Sequence, residues 1–331
     1  MIARTTTICV TTLVAILAVT AFGIALGEYP LAVRQLPELL FGGGTRLDRH
    51  IFLDLRLPRA VIGCLAGACL AMAGALTQTI SRNPLATPDF IGVTAGASAG
   101  AVAVIVFGGG SYAVTGTLTA LGIPAAALIG GLLAAGAVYG LSWRNGVDGY
   151  RLILIGVGAA AVLTAITSWL LVVASINNAA QAVVWLAGSL NSRTWDQALP
   201  LTVLAVVLLP FSVLLPRVLR VTQLGDDVAT ALGVRVQATR LGSLGLAVGL
   251  TAAAVAAAGP VAFVALVVPQ IMLRLTRGSR PPLLASALGG ALLVQSADLI
   301  GRSLFAWEIP VGLVTAVLGA PYLIWLLVRR K

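Results

Sequence analysis

Charge is what this sequence has least of. Only 10% of its 331 residues are Asp, Glu, Lys or Arg, against about 25% in an ordinary soluble domain. Lys331 is the only lysine. A P-loop needs a lysine inside G-x-x-x-x-G-K-[ST] to hold phosphates, so the chain carries no Walker A site. His50 is the only histidine. That excludes H-E-x-x-H and histidine-cluster metal sites, and leaves a Ser/His/Asp triad no sensible base. Cys9, Cys64 and Cys69 are the only cysteines. The last two lie five apart on one helix and point to different sides, so a disulfide between them is not expected. They count as small apolar residues.

What remains is apolar. Hydrophobic residues make up 59% of the chain and the mean hydropathy is +1.02. A soluble globular fold of this composition would expose too much apolar surface and aggregate. No Asp, Glu, Lys or Arg occurs in residues 5–27, 60–81, 90–143, 152–192, 197–216, 241–273, 281–297 or 309–328. A bilayer core takes roughly 20 apolar residues per helix, so these gaps are membrane spans and the long ones hold two. The expected helices are 7–27, 58–80, 90–107, 118–141, 151–174, 198–219, 238–258, 262–277, 283–303 and 309–328. The fold class is an all-α polytopic membrane protein with ten spans in a single domain over 1–331.

The net charge of +10 could suggest a nucleic-acid partner. Its placement argues otherwise. If the first helix leaves the cytoplasm, both termini are cytoplasmic. Arg4, Arg82, Arg144, Arg151, Arg217, Arg220, Arg235, Arg240, Arg274, Arg277, Arg280, Arg329, Arg330 and Lys331 then lie inside, 14 of the 21 basic residues. Arg34, Arg46, Arg49, Arg56, Arg59, Arg193 and Arg302 lie outside. This asymmetry follows the positive-inside rule, so the basic charge is a topology signal. The first apolar run also resembles a signal peptide. It is read as an uncleaved helix, because nine spans would put the termini on opposite sides.

Glycine is abundant, 37 residues. Small residues recur at four-residue spacing in Gly63/Gly67/Ala71, Gly96/Gly100, Gly245/Gly249 and Gly312/Ala316/Ala320. Such faces let helix backbones approach closely in lipid. Prolines mark breaks at Asn83-Pro84, Thr87-Pro88 and Gly259-Pro260, with a further kink at Pro269. Broken helices beside a pathway are frequent in transporters.

Two segments are too polar or broken to span. Residues 177–195 read as an outer interfacial helix, with Trp185 and Trp195 near the headgroups. Residues 222–237 read as a short cytoplasmic helix with Asp226 and Asp227 at its positive end and Gly233 as its C-cap. Val228, Ala231 and Leu232 share a face of it. That face needs a partner groove or lies on the membrane.

Little here can do bond chemistry. Asp298 is the one acid well inside a span. Intramembrane acids are paired or functional, and Arg302 four residues on is the expected partner. Thr77, Gln78, Ser98, Thr164, Ser168 and Gln270 are uncharged polar residues in spans. Each alone is most often an interhelical hydrogen bond. Together they suffice to line a path for a large polar solute. A membrane-embedded enzyme would need clustered His, Asp or Cys. A proton-coupled secondary transporter would need more buried acids.

Ordered blocks along the chain are familiar. Arg56-Leu57-Pro58-Arg59, Gly74-Ala75-Leu76-Thr77-Gln78, Arg82-Asn83-Pro84-Leu85-Ala86 and Pro88-Asp89-x-x-Gly92 come first. Leu224-Gly225…Ala229-x-x-Leu232-Gly233, Gly259-Pro260-Val261-x-Phe263, Ala297-Asp298…Arg302 and Pro310-Val311-Gly312 follow. From about 50 to 330 the sequence resembles the FecCD family, the membrane subunits of ABC importers for ferric siderophores, haem and vitamin B12. Gln270, where many members have His, and Ala182-x-x-Trp185-Leu186-x-Gly188 resemble the ferric-enterobactin-type branch. The resemblance implies a type II ABC importer permease fold and a ferric siderophore as substrate, with haem or B12 as the alternative. It implies a second permease subunit (a related chain or a second copy), two ATPase subunits and an extracytoplasmic binding protein. No cofactor is implied on this chain; ATP and Mg belong to the ATPases. It also implies a location in a bacterial cytoplasmic membrane, with no nucleic-acid partner. It makes 222–237 the coupling helix, through Leu224, Gly225, Asp226, Asp227, Ala229, Leu232 and Gly233. It makes Arg56, Arg59 and Arg302 docking sites for carboxylates of the binding protein.

Overall fold

The structure, a computed structural model, describes residues 2–27, 29–108, 116–143, 149–222, 225–304 and 307–328. It is all-α. The helices are α1 Ile2–Ala25, α2 Leu36–Leu40, α3 Arg46–Arg49, α4 Leu57–Ser81, α5 Val93–Phe107, α6 Gly116–Ser142, α7 Gly149–Val173 and α8 Ile176–Leu186. They continue as α9 Trp195–Leu214, α10 Pro216–Thr222, α11 Asp226–Ala231, α12 Val236–Ala258, α13 Val264–Thr276, α14 Leu283–Ser303 and α15 Val311–Val328.

Among the described residues, seven helices are long and apolar enough to cross a membrane. Each matches one expected span. The other three expected spans are shorter apolar helices, Val93–Phe107, Val264–Thr276 and Val311–Trp325. Two of them follow the breaks read from proline. Thr87-Pro88 leads into a 3-10 turn over Pro88–Ile91 ahead of α5, and Gly259-Pro260 leads into α13. Chain spent on an irregular segment inside the bundle leaves less for the helix that follows.

The centre of the bundle is α4. It packs against α14, α12, α9 and α13, and Ile62, Ala66, Met72 and Leu76 are at most 1% exposed. Composition explains its position. Lipid is as apolar as Leu, so helices associate through close packing rather than through expulsion of water. Gly67 of α4 meets Gly290 of α14 backbone to backbone: a Cβ at Gly67 would lie 2.3 Å from the Gly290 carbonyl oxygen. The pair Gly96 and Gly130 does the same for α5 and α6, at 2.4 Å. The expectation for Gly245/Gly249 differs. A Cβ on Gly245 would meet nothing within 4 Å, whereas one on Gly249 would lie 3.3 Å from the Leu208 side chain of α9, so the two glycines do not act as one close-packing face.

The bundle has two distinct ends. At one, the Arg4 Nε donates to the Leu275 carbonyl at 2.8 Å, Arg82 donates to the Thr222 carbonyl, and α11 lies between α10 and α12. At the other, Arg56 and Arg302 reach back to the last turn of α1. The charged segment between α1 and α4 sits at this second end with a small core of its own, in which Leu31, Leu36, Leu39 and Phe52 pack against Ile24 and Ala60. A capping box between Thr45 and Asp48 starts α3, and a π-helical turn over His50–Arg56 carries the chain into α4.

The expected interfacial helix is α8, capped by the Ser175 hydroxyl. Its Trp185 points into the bundle. Only 5% exposed, it packs with Ala101, Ile105 and Val255 in the bundle. Eleven residues of α8 fold back across α5, which turns the large ring inward. Trp195 is half-buried and its indole Nε1 donates to the Leu53 carbonyl at 2.9 Å.

Candidate functional site

Three places carry polar or exposed features that packing alone does not require. The first is a cavity of about 400 Å³. Its walls come from both breaks: Thr87, Asp89 and Thr94 on one side, and the 260–263 turn on the other, with Thr251 of α12 and Leu313 and Ala316 of α15. Irregular backbone at membrane depth is tolerated only against protein or a water-filled space, so the breaks and the cavity belong together. Asp89 is the one charged residue among those lining it, and it accepts from the Thr94 hydroxyl. Phe263, a wall residue, sits at φ 65°, a conformation that bulky residues adopt only when their surroundings enforce it. The bare Gly319 makes room for its ring, since a Cβ there would lie 2.4 Å from the Phe263 Cβ.

None of the six polar residues proposed from sequence for a path lines this cavity. Thr77, Gln78, Ser98 and Gln270 are buried. Thr77 donates to the Ala73 carbonyl one turn back at 2.8 Å. Gln270 Nε2 donates to Gln78 Oε1 at 2.7 Å, and Gln78 Nε2 donates to the Leu266 carbonyl at 3.0 Å. The two amides clamp α4 to α13 around the Pro269 kink. Thr164 and Ser168 are exposed on the outside of α7. Residues that do line the cavity were signalled by the prolines beside them, not by polarity within a span.

The second place is an ionic cluster at the end that carries the 26–56 segment. Arg59 of α4 grips Asp298 of α14 with two nitrogens: Nη2 lies 2.6 Å from Oδ1, and Nε lies 3.1 Å and 3.2 Å from the two oxygens. Asp298 is 6% exposed. Arg59 also bridges to Glu308 in the loop between α14 and α15. Arg302 Nε stands 3.4 Å from Asp298 Oδ2. The expected i,i+4 pair is therefore present but secondary, and Arg59 is the main partner. That pairing joins residues 239 apart in sequence, so no local spacing reveals it. Arg56 Nη2 donates to the Tyr29 carbonyl at 2.7 Å, and Arg302 donates to the Gly23 carbonyl. Each of the three arginines thus spends part of its guanidinium inside the protomer.

The third place is α11, at the opposite end. Ala229 is fully buried, whereas Val228 is 46% and Leu232 is 62% exposed. Asp227 is exposed as well. Gly225 precedes the helix at φ 112° and Gly233 follows it at φ 81°. The Gly233 amide donates to Thr230 and the Val234 amide to Ala229, at 2.9 Å each. These are the two bonds of a Schellman ending, which needs a left-handed residue where Gly233 stands. The helix is shorter than 222–237, because Gly225 and Gly233 bound it. Leu224 lies outside the described residues, as does the side chain of Asp226.

The FecCD transport family matches residues 13–329. The chain belongs to that family. It is a permease of a membrane transporter and not itself an enzyme. It is 41% identical to the ferric enterobactin transport system permease protein FepG of Escherichia coli (strain K12), over 94% of this chain and 92% of that protein. It is 40% identical to the achromobactin transport system permease protein CbrC of Dickeya dadantii (strain 3937), over 96% of this chain and 90% of that protein. Among solved structures it is similar to an inward-facing metal-chelate type ABC transporter, at TM-score 0.85 and 27% identity over 98% of this chain and 99% of that one. That likeness shows the type II ABC importer permease fold. The FecCD permease is multi-pass, and as an ABC permease it works with partner subunits.

Proposed function

We propose that this FecCD permease carries a ferric siderophore across a bacterial cytoplasmic membrane, with both termini in the cytoplasm. The observation that carries the reading is its likeness, over nearly the whole chain, to permeases named for ferric enterobactin and achromobactin. The cavity agrees chemically. A path for bare ferric iron needs several hard oxygen ligands, and this cavity presents one carboxylate among mostly apolar walls. Such walls suit a cargo that brings its own ligands. The breaks at 87–92 and 259–263 line the path in place of the buried amides.

Its partners are a second permease subunit (a related chain or a second copy), two ATPase subunits holding ATP and Mg, and an extracytoplasmic binding protein. At the cytoplasmic end, Val228 and Leu232 of α11 are apolar, exposed and flanked by Asp227. A groove on an ATPase buries that face, and closure of the ATPases drives α11 and the helices beside it. At the outer end, Arg56, Arg59 and Arg302 receive carboxylates of the binding protein through the N–H groups left over from their internal bonds.

A second reading, haem or cobalamin as cargo, has support in the 39% identity to the cobalamin import permease BtuC of Halobacterium salinarum over 84% of this chain. Uptake of labelled ferric siderophore, haem and vitamin B12 in a strain deleted for this permease separates the two. Loss of siderophore uptake alone is the expected result. Loss of vitamin B12 or haem uptake alone overturns the substrate assignment.

A further inference from the structure

Arg59 holds two carboxylates that are not equivalent. Asp298 is rooted in α14, 6% exposed and gripped by two nitrogens of the guanidinium. Glu308 hangs from the loop between α14 and α15, and its side chain is 30% exposed. Trp307 beside it is 72% exposed. The first contact belongs to the bundle and the second can leave without disturbing it. The charges count the same way. Arg56, Arg59 and Arg302 supply three positive charges, and Asp298 and Glu308 supply two negative ones, so the cluster carries a net +1.

We infer that Glu308 is an internal occupant of the arginine seat, displaced when a carboxylate of the docking protein arrives. This rests on the reading that these arginines dock an acidic partner. In the free permease Glu308 neutralises one guanidinium that would otherwise face solvent next to the membrane. On docking, the incoming carboxylate replaces it on Arg59, and Glu308 swings into water, where a carboxylate is well solvated. The exchange keeps the number of ion pairs constant, so docking stays reversible, as a cycle that must release its binding protein requires. Asp298 takes no part, because its removal would leave Arg59 half-buried without its main partner. The partner this seat fits is an extracytoplasmic protein surface presenting two acidic side chains, one for the free net charge and one for the Glu308 position.

The test is the affinity of the purified cognate binding protein for the complete transporter in nanodiscs, with wild type compared with Glu308→Gln and Glu308→Ala. A partly exposed ion pair is weak, so removing the competitor should tighten binding by roughly two- to fivefold. The salt dependence should steepen, because the bare cluster then carries two net positive charges. Unchanged or weaker affinity in both variants, with thermal midpoints at the wild-type value, overturns the exchange. Arg302→Gln and Arg56→Gln in the same assay report on the parent reading. If they weaken docking while the Glu308 variants do nothing, only the exchange fails. If they too leave affinity unchanged, the arginine seat itself is wrong.

Discussion

The ending of α11 offers the sharpest handle on coupling. Gly233 sits at φ 81° and closes the helix by the two bonds from its own amide and that of Val234. A Cβ there would meet nothing within 4 Å, so a substitution at this position perturbs backbone conformation and not packing. A side chain in the left-handed region costs about 1–2 kcal/mol. A six-residue helix has little internal stability to absorb that, so the population with α11 correctly ended falls roughly 5- to 30-fold. The series Gly233→Asn, Gly233→Ala and Gly233→Val grades the strain, because Asn tolerates the left-handed region and a β-branched residue tolerates it least. Reconstituted with its partners, the permease should show substrate-stimulated ATPase activity falling in the order Gly, Asn, Ala, Val. Yield and thermal midpoint should stay constant. Equal activity across the series refutes the argument. So does an Asn variant as impaired as the Val variant, because strain would then not be the cause.

Other outcomes follow from the packing and the ionic cluster. Gly67→Ala forces α4 off the Gly290 backbone, 2.3 Å from the new Cβ, and should lower the thermal midpoint in detergent by the equivalent of about 1–3 kcal/mol. Gly245→Ala, with open space around it, should lower nothing. Asp298→Asn strips Arg59 of its main partner and should destabilise the fold by roughly 3 kcal/mol, the low end for a broken buried pair because Glu308 remains. Gln78→Leu or Gln270→Leu alone leaves an amide unpaired and should cost about 1–3 kcal/mol, while the double variant recovers most of that. Intact substrate uptake in the double variant assigns the pair to helix clamping; lost uptake at full stability would return it to the path.

Elements set by local chemistry were legible in the sequence. Charge-free runs located the helices, since a charge in the bilayer is expensive wherever it sits. Asn83-Pro84 and Gly259-Pro260 located the breaks. The Gly96 and Gly67 faces located real crossings, because backbone contact tolerates no other residue there. Relations across the bundle were not legible. Nothing near Asp298 announces Arg59, and nothing near Gln270 announces Gln78. A polar residue in a span has the same spelling whether it faces water or another helix. Gly245 shows the converse: small-residue spacing permits a close contact but does not summon a partner. The inward packing of Trp185 was not legible either. Indole suits both a headgroup layer and a protein core, and the fold-back of α8 is what brings this ring against α5 and α12.

Movement of a ferric chelate with energy supplied by separate ATPases is the function most open to direct test. The direct measurement is uptake of a radiolabelled ferric siderophore into proteoliposomes holding the complete transporter, with binding protein outside and ATP inside. Accumulation should stop when the ATPase active site is inactivated and persist when an uncoupler collapses the proton gradient. Accumulation that survives loss of the ATPase and ends with the uncoupler would contradict that function.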